Sequence, residues 1–221
     1  ISGIRSDYLA PTIYLTDIIA MLLIIVSGIK YQVLSIKKRK RFKFTKHNVF
    51  LLLVFSYLLF NTIFIATGKW AAFYKLIKIV EFSLVGFVIY KIKPKLETIA
   101  LVLSGPVFYS SIIAIWQFFT QKSIGGIFWF AGERAFDAGT PGIAAISYQG
   151  NLLMRPYATF PHPNVLGGFL SVAMPFIYLF LIKQWKTINI YLKIWYIIIF
   201  SLGLSCLFLT FSRLAWAVAV V

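Results

Sequence analysis

Residues Ile194–Phe211 read IWYIIIFSLGLSCLFLTF, a run with no charged side chain. At about 1.5 Å per residue a helix over this run rises roughly 27 Å, close to the ~30 Å thickness of a bilayer hydrocarbon core. A surface helix of a water-soluble domain keeps one polar face. This run has none, so its natural solvent is lipid.

Five further stretches pass the same test: Pro11–Ile29, Asn48–Ala66, Lys75–Tyr90, Glu97–Phe118 and Asn164–Ile182, while a seventh apolar run begins at Leu214. The whole composition agrees. Hydrophobic residues make up 60% of the 221 and charged residues only 13%, too few to cover a water-soluble core. The expected fold is therefore an all-α, polytopic integral membrane bundle, with six spans plus the start of a seventh. It is expected to form one transmembrane domain over residues 1–221, with a long outer-face loop at 119–163. The chain begins at Ile1 and stops within the run Ala217–Val221, so both ends are expected to be truncated. No cleavable signal peptide is legible.

A formal charge of +16, from 22 Lys+Arg against 6 Asp+Glu, would suggest nucleic acid in a soluble chain. Position argues for membrane orientation instead. Lys30, Lys37, Lys38, Arg39, Lys40, Arg41, Lys43 and Lys46 crowd one loop between apolar runs. Lys91, Lys93 and Lys95 fall on the same side of an alternating topology, as do Lys183, Lys186 and Lys193, which makes that side cytoplasmic. Nucleic acid is not an expected partner; membrane lipid is. The single cysteine, Cys206, excludes an intrachain disulfide. In the third span Lys75, Lys78 and Glu81 recur at helical spacing. They read either as snorkelling lysines with a Lys78–Glu81 pair or as the lining of a polar cavity. Pro106 and Pro175 lie within spans and are expected to kink them.

The long loop carries the most information. It opens with an aromatic run, Ile127-Phe128-Trp129-Phe130, of the kind found at membrane interfaces. Glycines and prolines then interrupt any regular helix. Arg155-Pro156-Tyr157-Ala158-Thr159-Phe160-Pro161-His162-Pro163-Asn164 follows and runs straight into the next span. Its three prolines stiffen the approach to that helix, and Asn164 is placed to cap it. Gly167 and Gly168 leave room for another backbone to come close. The Ser212-Arg213 turn returns to the same face. Arg134, Arg155 and Arg213 are therefore expected on one side of the membrane, either as interfacial anchors or as a diphosphate clamp, since guanidinium grips phosphate oxygens bidentately.

Arg155 through Leu170, together with Thr210-Phe211-Ser212-Arg213, resembles the O-antigen ligase and polymerase superfamily of bacterial envelope membrane proteins over roughly residues 125–216. The resemblance implies a metal-independent glycosyltransferase without a cofactor in the bacterial plasma (inner) membrane. Such an enzyme would move a glycan from a polyprenyl diphosphate carrier to a lipid, protein or glycan acceptor, as in lipopolysaccharide biosynthesis. On that resemblance Arg155 and Arg213 would be catalytic, and Arg134, His162, Asn164 and Ser212 would bind substrate. Members also place an essential histidine in a later outer loop, which this chain does not reach. His162, set between prolines, does not fill that role, and His47 lies on the cytoplasmic side. A transporter or channel for a small anion or lipid-linked substrate is the alternative from another class, and a structural membrane partner is a third.

Overall fold

The computed structural model describes the backbone of residues 15–36 and 46–220. The start of the first expected span, most of the basic loop at 37–45 and the side chains of 29–48 lie outside the described residues. The chain forms two compact units, Ile1–Lys93 and Pro94–Val221.

In the first unit, helices α1 (Leu15–Ile36), α2 (Lys46–Phe60) and α3 (Lys69–Ile92) follow one another, with a π-helical turn, Asn61–Ile65, continuing α2. α1 packs against α3. Their shared face holds charge: the Lys78 ammonium bonds the carboxylate of Asp17 on α1 and, at 3.3 Å, that of Glu81 one turn along α3. Both carboxylates are buried. The expected i,i+3 pair is therefore present, extended by a partner from another helix.

The second unit begins with α4 (Leu96–Thr120). A long loop follows, containing a 3-10 turn (Gly126–Trp129) and strands β1 (Ala145–Tyr148) and β2 (Asn151–Met154). The chain ends through α5 (Pro163–Gln184), α6 (Ile190–Leu209) and α7 (Arg213–Val220). α4, α5 and α6 pack mutually, and α7 lies mainly on α5. Their core is apolar: Val107, Ile113, Leu170, Ile177 and Ile199 are all buried within it. α4 and α5 continue through Pro106 and Pro175. The close approach expected at the glycine pair belongs to Gly167 alone. A Cβ there would stand 3.0–3.2 Å from Ala215, Thr210 and Ser212, while one at Gly168 would meet nothing within 4 Å.

Three described helices, α4, α5 and α6, are long and apolar enough to cross a membrane. The chain thus has the character of a helical membrane protein, but the count of six is not reached among the described residues. α1 and α2 offer shorter apolar helices, Thr16–Gly28 and Val49–Ile65. α3 is long, yet Lys69, Lys75, Lys78, Glu81 and Lys91 interrupt its hydrocarbon-compatible surface.

The all-α expectation needs one further correction, because the long loop holds an antiparallel hairpin pairing Ala145 with Met154 and Tyr148 with Asn151. Gln149 and Gly150 turn it, both at positive φ (49° and 81°). That conformation matches the twist of a tight two-residue hairpin.

Candidate functional site

The loop is held to the membrane helices by two glutamines one turn apart near the end of α4. Gln117 is fully buried. Its side-chain oxygen accepts the backbone N–H groups of Tyr157 (3.0 Å) and Ala158 (2.7 Å), and its amide donates to the Ala158 carbonyl (3.1 Å) and to Glu133 Oε1 (2.8 Å). Every donor and acceptor of this carboxamide is engaged, as burial requires. Ala158 is held in the left-handed region at φ 50°, a conformation that costs an L-residue roughly 1–2 kcal/mol.

Gln121 ends α4 in the left-handed conformation, with φ 55°. Its side chain accepts the Met154 N–H at 2.6 Å and donates to the Phe118 carbonyl at 2.5 Å. Glu133 is buried and accepts the N–H groups of Ile124 and Gly125, each at 2.7 Å, besides the Gln117 amide. The Tyr157 hydroxyl accepts the Ala144 N–H at 2.8 Å. Residues 154–158 are therefore gripped from both sides, and Arg155 lies at their centre.

The Arg155 guanidinium is fixed by two oxygens. Nε donates to the Thr210 carbonyl at the end of α6 (2.7 Å), and Nη2 donates to Asn164 Oδ1 in the first turn of α5 (2.6 Å). Its backbone N–H donates to the Ala144 carbonyl at 2.9 Å. A guanidinium has five N–H donors, so three remain for a further acceptor. Partial burial draws Arg155 below its ordinary value, while the nearby Tyr157 opposes that shift; an arginine so placed keeps its charge. The same Thr210 orders the next turn. Its hydroxyl donates to the Leu207 carbonyl (2.7 Å) and receives the Ser212 N–H (3.4 Å), and Trp216 Nε1 donates to that Leu207 carbonyl (2.8 Å). Arg213 opens α7, exposed, three residues after Thr210.

No family model matches this chain, and no curated protein or solved structure matches it.

Of the residues singled out in the sequence, Arg155 and Asn164 are in direct contact, and Arg155 reaches the turn that carries Ser212 and Arg213. Ser212 is buried, with its amide turned to Thr210. Arg134 is half-buried beside Glu133 in the loop. The capping role differs from expectation. His162, not Asn164, caps α5: its Nδ1 accepts the Asn164 N–H at 3.1 Å, with Pro163 at the first helical position. This frees the Asn164 carboxamide oxygen for Arg155.

The residues that sequence reasoning missed are Gln117, Gln121 and the carboxylate of Glu133. A signal for them existed. Two amides at i,i+4 close an otherwise apolar helix, and Glu133 is one of only 6 acidic residues in the chain.

Proposed function

We propose that this protein is a membrane glycosyltransferase of the O-antigen ligase and polymerase type. It transfers a glycan from a polyprenyl diphosphate carrier to a lipid, protein or glycan acceptor at the outer face of a bacterial plasma membrane, in a multi-pass topology with the basic loops cytoplasmic. The observation that carries the reading is the fixation of Arg155. A cation is held by a carbonyl of the α6–α7 turn and by Asn164, on a segment clamped by Gln117 and Gln121, with spare N–H donors.

A guanidinium oriented before substrate arrives stabilises charge developing on a leaving diphosphate without reorganising. Arg213, three residues past the Thr210 carbonyl that holds Arg155, supplies the second positive charge. His162 and Ser212 support the loop geometry, and Arg134 adds positive charge on the same loop. The sequence resemblance from Arg155 to Leu170 and at Thr210–Arg213 supports the same assignment.

The test is glycan transfer by the full-length gene product in lipid vesicles supplied with polyprenyl-diphosphate glycan. Arg155→Ala and Arg213→Ala are expected to lose transfer while inserting normally. Transfer at the wild-type rate by both would reduce the arginines to interfacial anchors. A transport reading draws on a different feature, the Asp17–Lys78–Glu81 cluster, whose two carboxylates are buried. It would be favoured if the wild type moved anions across the vesicle membrane and transferred no glycan.

A further inference from the structure

The aromatic run after α4 does not extend away from the helix but turns back along it. The Tyr109 hydroxyl donates to the Ala131 carbonyl at 3.4 Å, a long contact that sets this carbonyl beside the Tyr109 side chain. Tyr109 precedes the last residue of α4, Thr120, by 11 residues, so its turn lies roughly 16 Å below the helix end at 1.5 Å per residue. Counting the other way, about 20 residues span the hydrocarbon core, which carries α4 from Leu96 to near Trp116 and leaves the Tyr109 backbone roughly 10 Å inside the membrane boundary, with its hydroxyl within one side-chain length of that level.

The segment that reaches this depth suits hydrocarbon. Ser123–Gly132 contains no charged residue. Ile127, Trp129 and Phe130 are 77%, 57% and 93% exposed, whereas Phe128 packs against the core of the unit. The backbone is largely satisfied within the segment. Phe128, Phe130, Ala131, Gly132 and Glu133 donate to the carbonyls of Gly125, Ile127, Phe128, Trp129 and Phe128 respectively. Glu133 accepts the N–H groups of Ile124 and Gly125 at the start of the turn. Non-helical backbone at membrane depth requires this kind of satisfaction.

We infer that Gly125–Gly132 is a re-entrant wedge that dips into the leaflet at the Thr120 end of α4 and contacts acyl chains through Ile127, Trp129 and Phe130. The inference is independent of the transferase reading, since it rests on depth and polarity alone. It takes the aromatic run below the interfacial position its composition suggests.

Nitroxide accessibility in phosphatidylcholine vesicles tests it. Single labels are placed at Ile127→Cys and Phe130→Cys in a Cys206→Ala background, with Ile112→Cys on α4 as the hydrocarbon reference and Ala138→Cys as the aqueous one. Labels at 127 and 130 are expected to collide with oxygen several-fold more, relative to a water-soluble nickel chelate, than the label at 138, and to match the label at 112. Chelate access equal to that at 138 would place the run in water and overturn the wedge. Shielding from both reagents would place it against protein and overturn it equally.

Discussion

At the scale of single residues the fixing of the long loop turns on Gln117. It joins the helix end to the segment carrying Arg155 and also satisfies the buried Glu133. Replacing it with leucine would leave two backbone N–H groups and a carbonyl without their partner and would take from the buried Glu133 carboxylate one of its three donors. Such groups cost about 1–3 kcal/mol each when stranded. Gln117→Leu is therefore expected to destabilise the protein by several kcal/mol in total, read as a sharply lower thermal midpoint in detergent. An unchanged midpoint would mean that water reaches these groups. Arg155 was legible in the sequence because a cation among prolines is conspicuous. Gln117 was not, because its partners lie 16 to 41 positions away. A single buried amide advertises its role only once those partners are known.

At the scale of elements, the site depends on how α5 meets the α6–α7 turn. Gly167 is the contact point, with the side chains of Ala215, Thr210 and Ser212 at 3.0–3.2 Å from where a Cβ would stand. These are short side chains that cannot swing aside, so Gly167→Val is expected to push the turn outward. The cost is about 1–3 kcal/mol, as for other overpacked contacts, and the Thr210 carbonyl would shift away from Arg155. Gly168→Val meets open space and is the matched control. Thermal unfolding of the two variants in the same detergent checks the difference; equal losses would contradict the packing argument.

The helix α5 was legible from its apolar run and the Pro-rich approach. Its cap was misassigned to Asn164, because asparagine is the commoner capping residue while only the fold reveals that Asn164 is engaged by Arg155. The hairpin at 145–154 was hidden for a different reason. Each strand has only 4 residues, too short for alternation to stand out, and the Gln149–Gly150 turn gives a weaker signal than Asn-Gly.

At the scale of the molecule, composition identified the solvent, and hydropathy located the helices more securely than it counted membrane crossings. α3 shows why. Its charge is compensated by tertiary structure, through Asp17 and Glu81 around Lys78, and a hydropathy window cannot see a partner on another helix. Lys78→Met is expected to weaken the first unit by taking away the ammonium that two buried carboxylates share, since leaving a buried charge uncompensated is destabilising. Adding Asp17→Asn should recover much of the loss, because it removes the excess charge. A double variant no more stable than Lys78→Met would show that these charges are solvated independently.

In the proposed function Arg155, oriented by Thr210 and Asn164, holds a diphosphate together with Arg213. The most direct measurement is equilibrium binding of polyprenyl diphosphate to the protein in lipid nanodiscs, with polyprenyl monophosphate for comparison. The diphosphate is expected to bind preferentially. Binding at least about tenfold weaker is expected in Arg155→Ala and in Arg213→Ala, or roughly 1.4 kcal/mol. Arg155→Lys should fail to rescue, because an ammonium cannot reproduce the planar fork that spans Thr210, Asn164 and an incoming oxygen. Equal affinity for the diphosphate in the wild type and both alanine variants would contradict the claim.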